Sequence, residues 1–181
     1  YRSNVTIQIS GTEVTSYSKA TYKVTGTAKG NGAIGGTSVT TNQVVDTGEV
    51  EIANGGTFTI TADGTWTVTA YMYDRSGRDT AVSSTLVFTR DTVGPTISSI
   101  TKTGIGTTTL SVRVSASDAF SGLASSGTYQ YLVGTSSQST TTANTHTYTG
   151  LSFNFSSKPS SLTKNNVKVI VKDKAGNTTT K

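Results

Sequence analysis

The side chains in this sequence best suited to chemistry are three aspartates: Asp91, Asp118 and Asp173. Carboxylates are the preferred ligands of hard cations such as Ca²⁺, which gathers about six to eight oxygens, many of them from backbone carbonyls. After Thr92 the chain holds two carboxylates and no others, Asp118 and Asp173, and Asp91 stands just ahead of them. A Ca²⁺ site built from Asp91, Asp118 and Asp173 is one expectation. The other is plainer: aspartate at the head of a tight turn accepts hydrogen bonds from its own loop, so Asp118 and Asp173 simply cap their turns. Both stand at this point.

Other chemistry is thinly supplied. Tyr71 and Tyr73 share the outward face of one alternating run, and Tyr129 and Tyr131 share a face of another. Paired aromatics are what a carbohydrate platform needs, and also what ordinary strands contain. The only histidine is His146, cysteine is absent, and no Gly-x-Ser-x-Gly elbow occurs, so a nucleophilic triad lacks its parts. Glu49 and Glu51 lie two apart on one strand, where both face water. The expectation is a protein that is not an enzyme. Lys29–Gly36 (KGNGAIGG) lacks the Gly-Lys-Ser/Thr ending of a phosphate loop, and nucleic-acid motifs are missing. Lys23, Lys168 and Lys172 fall on outward phases, which argues against a buried cross-strand isopeptide bond.

These residues hang on a hairpin that is written twice. Val68–Thr80 (VTAYMYDRSGRDT) aligns without a gap on Val167–Thr179 (VKVIVKDKAGNTT), placing Asp74 over Asp173 and Gly77 over Gly176. Each copy is an alternating strand, an Asp-x-x-Gly turn and a polar strand leaving it. Asp74 and Asp173 are expected to accept a hydrogen bond from backbone two residues on, and Gly77 and Gly176 to take the positive φ of the turn. Val68, Ala70 and Met72 point inward and Thr67, Thr69 and Tyr71 outward. In the second copy Val167, Val169 and Val171 point inward, with Lys168 and Lys172 facing water. A repeat of this length implies two copies of one all-β domain.

Composition agrees. Of 181 residues only 33% are hydrophobic, so each core must be thin; roughly a third are Ser or Thr, which favours strands over helices. Two prolines and 19 glycines suit short strands and tight turns. The absence of cysteine fits a Gram-positive exterior as well as a cytoplasm. No signal peptide or membrane-spanning run occurs, so no membrane insertion is expected, and a first residue other than Met suggests a piece of something longer. The net charge of +5 is uneven: seven basic and eight acidic residues up to Thr92 give −1, and eight basic and two acidic from Val93 give +6. That second half could attract an anionic polymer, although lysine on outward strand positions more simply keeps sheets soluble.

The boundary is set at Asp91/Thr92, because Pro95 forces extended backbone before it and suits the start of a strand. The expected architecture is all-β: two tandem immunoglobulin-like antiparallel β-sandwiches, residues 1–91 and 92–181. In the first, strands are expected around Val5–Ile9, Tyr22–Ala28, Val39–Val45, Val50–Ile52, Phe58–Thr61, Trp66 onward and Val82–Phe88, with Lys29–Gly36 as a loop. In the second they are expected at Ile97–Lys102, Leu110–Ala116, Tyr129–Val133, His146–Leu151, Phe153–Phe155, from Val167, and at Thr178–Lys181.

Three short motifs in order carry a resemblance: the lead-in Asp91-Thr92-x-x-Pro95, the loop Ala116-Ser117-Asp118 with Ser121-Gly122-Leu123, and the exit Val171-Lys172-Asp173-Lys174-Ala175-Gly176-Asn177. Together they resemble the bacterial immunoglobulin-like repeats of secreted and cell-surface proteins. The resemblance spans nearly all of the second domain; the first keeps only the exit hairpin. It implies a monomeric spacer, stalk or adhesive module of a larger extracellular or cell-surface protein, with its neighbouring domains as partners and no required cofactor. The alternative is a carbohydrate-binding accessory module of a secreted hydrolase or phage tail protein. In that topology the loops carrying Asp118 and Asp173 lie at one end, where Asp91 also arrives.

Overall fold

The structure is a computed structural model that describes residues 1–12, 17–74, 84–103, 110–131, 145–149, 152–155 and 167–181. Its described residues contain strands and no helix, and the chain divides into two compact units, Tyr1–Thr92 and Val93–Lys181. No helix among them is long and apolar enough to cross a membrane.

In the first unit two sheets face each other. One holds β1 (Val5–Gln8), β7 (Thr57–Ile60), β3 (Gly32–Ile34) and β4 (Thr37–Val39), in that order. The other runs β5 (Val44–Asp46), β2 (Tyr17–Ala28), β8 (Gly64–Asp74), β9 (Ser84–Arg90), with β6 (Val50–Ile52) also on β2. Period-2 alternation builds the core between them. From the first sheet come Ile7, Ile34, Val39, Phe58 and Ile60; from the second, Ala20, Tyr22, Val24, Ala28, Val45, Trp66, Val68 and Phe88. Tyr22 stacks on Phe58 across the gap at 3.8 Å, and burial raises the Tyr22 phenol's pKa.

Trp66, the chain's one tryptophan, is wholly buried and donates its indole N–H to the carbonyl of Ala62 at 3.0 Å. Two glycines leave room for its ring. A Cβ on Gly26 would lie 2.4 Å from the Thr65 carbonyl oxygen and 2.7 Å from the ring. One on Gly64 would lie 2.6 Å from the Thr27 carbonyl oxygen and 3.0 Å from the ring. Gly26→Ala is therefore expected to destabilise this unit by about 1–3 kcal/mol through overpacking. Urea unfolding followed by Trp66 emission measures it; an unchanged midpoint would show that the ring has slack to move.

Two sequence expectations fail here for one reason, turn chemistry. Lys29–Gly36 is not a plain loop. Gly35 and Gly36, at φ 55° and 86°, make the two-residue positive-φ turn that lets β3 and β4 pair as a hairpin. Val39–Val45 is not one strand. The chain turns at Thr40–Gln43, where Asn42 takes φ 67° and the Gln43 amide oxygen accepts from the Thr40 N–H at 2.9 Å, separating β4 from β5. The face assignment of β8 stands: Val68 is buried, with Ala70 and Met72 against the core. Gly77 and Val82 lie outside the described residues.

The second unit has seven strands among its described residues. One sheet is β10 (Thr96–Thr103), β11 (Leu110–Ser117), β14 (Ser152–Phe155); the other is β13 (Thr145–Thr149), β12 (Ser126–Tyr131), β15 (Val167–Lys172), β16 (Thr178–Thr180). Ile97, Val112, Val114, Val169 and Val171 are buried, and Lys172 is exposed. A register shift between Ile97 and Ser99 sets Ile97 opposite Ala116 and Ile100 opposite Val114. That bulge allows two apolar residues three apart to serve the same face.

Placing the pairings side by side shows more repetition than the hairpin alone. In the first unit Val5 faces Ile60 and Ile7 faces Phe58; in the second Leu110 faces Phe155 and Val112 faces Phe153. β2 pairs β8 as β12 pairs β15, and each hairpin then continues to β9 or β16. The segments VTIQ and LSVR are the same strand by position, although they share no residue at equivalent places.

Candidate metal centre

The second unit brings Asp118 and Asp173 together. Asp118 follows β11 and Asp173 follows β15, neighbouring elements of opposite sheets, and a carboxylate oxygen of each lies within 4.8 Å of the other. Backbone bonds lace the two loops: Leu123 bridges Asp173, Ala124 N–H donates to the Lys172 carbonyl at 2.9 Å, and Lys174 N–H to that of Gly122 at 2.9 Å. The incoming chain is held as well, since the Asn177 amide donates to the Val93 carbonyl at 3.4 Å.

Each carboxylate is at work inside its own loop. Asp118 Oδ1 accepts from the N–H groups of Phe120 at 3.2 Å and Gly122 at 2.6 Å, and from the Ser121 hydroxyl at 3.4 Å. Asp173 is almost wholly buried. Its Oδ1 accepts from the N–H groups of Gly176 at 2.6 Å and Asn177 at 2.8 Å, and its Oδ2 from the Asn177 amide at 2.8 Å. The expected partner two residues on exists for Asp118, whereas for Asp173 the donors sit three and four residues on. Gly176, at φ 101°, turns the chain so that those N–H groups converge on the carboxylate. Turn capping is thus what the geometry shows these aspartates doing. The two carboxylates also lie close enough for an oxygen of each to face one cation.

Asp91 belongs to the first unit. It is wholly buried, and its N–H donates to the Tyr1 carbonyl at 2.8 Å. Beside it lies a network that the sequence reading missed. Arg90 pairs with Asp63 at 2.5 Å, both side chains being less than a tenth exposed. The guanidinium also donates to the Ser3 carbonyl at 3.1 Å and to Asn4 Oδ1 at 3.0 Å, while the Thr92 hydroxyl donates to the other Asp63 oxygen at 2.7 Å. A signal did exist. Phe88 is inward on β9, so period 2 puts Arg90 inward too, where a charge needs a partner.

The tyrosines fare unequally. Tyr71 and Tyr73 both sit half-buried on β8, opposite Thr21 and Lys19 of β2. Tyr73 is engaged: its hydroxyl donates to Glu49 Oε2 at 2.5 Å, and the Lys19 ammonium stands 5.0 Å from its ring centre. Glu49 accepts from the Thr21 hydroxyl too, at 2.8 Å. Glu49 and Glu51 are both exposed, and Glu49 is a hydrogen-bonded acceptor as well. Tyr129 and Tyr131 lie on β12 opposite Val169 and Val167 by backbone register, and His146 lies on β13 opposite Tyr129. Lys23 forms an exposed pair with Asp46 at 2.9 Å, which raises the lysine's pKa and lowers the aspartate's.

The Tyr73 hydroxyl, then Thr21, hold the Glu49 carboxyl below its ordinary 4.5. A folded-state value below the unfolded one means the stabilisation is complete above the unfolded pKa and disappears as pH falls through the folded one. Tyr73→Phe is expected to move the Glu49 midpoint up, toward the ordinary value, in a carboxyl-carbon NMR titration. An unmoved midpoint would show that the Tyr73 bond does not form in solution.

No family model, curated protein or solved structure matches this chain. What it does must be read from its own residues.

Proposed function

We propose that this chain is a non-catalytic tandem of immunoglobulin-like β-sandwiches serving as a spacer, stalk or adhesive segment of a larger bacterial surface or secreted protein. The observation that carries this reading is the strand order of the second unit. Numbered along its described residues, strands one, two and five share a sheet, and four, three, six and seven share the other. That order fits an immunoglobulin-like sandwich of about seven strands. Commitment of Asp63, Arg90, Asp118 and Asp173 to loop ends adds support, because such bonds stiffen the places where a β-sandwich frays.

A spacer must carry load as independent folded bodies. Stretching single molecules from both ends is expected to give two unfolding events, each releasing about 300 Å of chain for a unit of this size. One gradual extension without discrete events would sink the spacer reading.

Ca²⁺ enters this reading as an optional ligand of Asp118 and Asp173, with Asp91 the third carboxylate expected from the sequence. Asparagine separates the two roles of these residues, since it keeps the oxygen that caps the turn and loses the charge that binds a cation. If Ca²⁺ binds, millimolar Ca²⁺ raises the melting temperature of the natural chain and not that of Asp118→Asn, and Asp91→Asn tells whether Asp91 takes part. No rise in the natural chain removes the cation.

Carbohydrate binding is the second reading, favoured by the position of Tyr71 and Tyr73 beside the polar groups of Lys19, Thr21 and Glu49. A glycan array decides it: binding abolished by Tyr71→Ala supports an accessory module, and an array without hits removes it.

A further inference from the structure

We infer that the cleft between β4 and β5 of the first unit binds one sugar ring of a neutral glycan, with the Tyr22 hydroxyl at its floor. β4 and β5 each stand at the end of their sheet. Between them opens a cleft of about 280 Å³, lined by residues from Tyr22 to Val50. Drug-sized ligands occupy about 300–1,000 Å³, so this cleft suits a single ring. It lies away from the end of the sheet where Tyr17 pairs with Asp74, about 17 Å from Tyr22 along β2.

Tyr22 is 6% exposed, and among the described residues its hydroxyl has no hydrogen-bond partner. Burial alone raises its pKa, as expected of a phenol that no neighbour bonds. A buried polar group without a partner works against folding, and phenylalanine would stack on Phe58 as well. The hydroxyl is nevertheless kept accessible. No fully enclosed side-chain nitrogen or oxygen is unbonded among the described residues, so this oxygen opens to the cleft. Gly35 stands beside it, where a Cβ would lie 2.5 Å from the oxygen and cover it.

The rest of the lining sets the ligand class. Ile34, Val39 and Val45 are buried walls, joined by the half-buried Val50. Thr37 and Gln43, both exposed, add a hydroxyl and a carboxamide. The Gln43 amide oxygen is taken by the Thr40 N–H at 2.9 Å, which leaves its NH2 group to donate. Charge at the rim is balanced, since Asp46 pairs with Lys23 at 2.9 Å. Aliphatic walls, one buried hydroxyl and uncharged donors match a neutral ring with a C–H face and a hydroxyl edge, which is a pyranose. An anion would find no cation among the described lining residues, and a wholly apolar ligand would strand the Tyr22 hydroxyl. Tyr71 and Tyr73 lie on the outer face of the same sheet, so this site does not rest on their platform.

Backbone-amide NMR of the full chain, titrated with glucose, galactose, mannose and N-acetylglucosamine, tests the inference. For a ligand of about a dozen heavy atoms the expected Kd is about 1–10 mM. At least one of these sugars should shift the Gly35, Gly36, Thr37 and Val45 amides to saturation. Tyr22→Phe keeps the stack on Phe58 and removes the hydroxyl. It should weaken binding about tenfold or more while the Trp66 unfolding midpoint holds or rises, which loss of a merely structural group would not do. Thr37→Val, at an exposed strand position, should weaken binding too and serves if the first variant does not fold. Tyr71→Ala should leave these shifts unchanged, so failure of the Tyr71–Tyr73 platform on a glycan array is a separate result. No saturable shift with any of these sugars overturns the inference. So do shifts that persist at full affinity in Tyr22→Phe, and shifts at these amides produced only by charged sugars or extended apolar peptides.

Discussion

Arg90→Leu is expected to cost the first unit about 3–5 kcal/mol, the loss typical of breaking a buried ion pair from one side. Leucine replaces much of the apolar stem, so the damage comes from what stays behind. Asp63 is left in a site less than a tenth exposed without its cation, and among the described residues the Thr92 hydroxyl still donates to it. The Ser3 carbonyl and Asn4 lose their donors as well. Set against a total stability of about 5–15 kcal/mol for a domain, this is a large fraction. Urea unfolding followed by Trp66 emission reads it directly, because the chain's one tryptophan lies in this unit's core. Adding Asp63→Asn to Arg90→Leu is expected to restore part of the loss, since the stranded charge is then gone. A single-variant loss below about 1 kcal/mol would mean that water reaches Asp63 and the pair behaves as a surface one.

The second large effect belongs to the other unit. Asp173→Ala removes a carboxylate that accepts from two backbone N–H groups and one side-chain amide. Hydrogen bonds to charged groups contribute more than neutral ones, and buried donors left unpaired add their desolvation cost. The expected loss is about 3 kcal/mol, concentrated at the β15–β16 turn. Trp66 does not report on this unit, so the measurement is amide exchange at Gly176 and Asn177, which should accelerate sharply. Asp173→Asn keeps the acceptor oxygen and should lose much less. Equal losses in the two variants would show that charge, rather than capping, is what the turn requires.

Much of the architecture was legible because it rests on periodicity. Alternation in VTAYMY and VKVIV assigns the inner faces of β8 and β15, and Asp with Gly at fixed offset marks the Asp173 turn. Gly35-Gly36 was legible in principle as a hairpin turn, and the glycine-rich run around it hid the signal. Arg90 and Asp63 were harder. Period 2 puts Arg90 inward, but no local rule names a partner 27 residues away.

From its sequence alone the protein is all-β, built from two similar units, with an Asp-headed turn closing the second. Strand propensity, alternation and turn residues act over a few neighbours, so a single chain displays them. Only the tertiary structure decided that β1 and β11 are one strand in two copies and that Asp118 and Asp173 meet. Those facts depend on which strands pair. Pairing is set by burial and hydrogen bonding between residues far apart in the chain, and neither leaves a short-range mark in the order of amino acids.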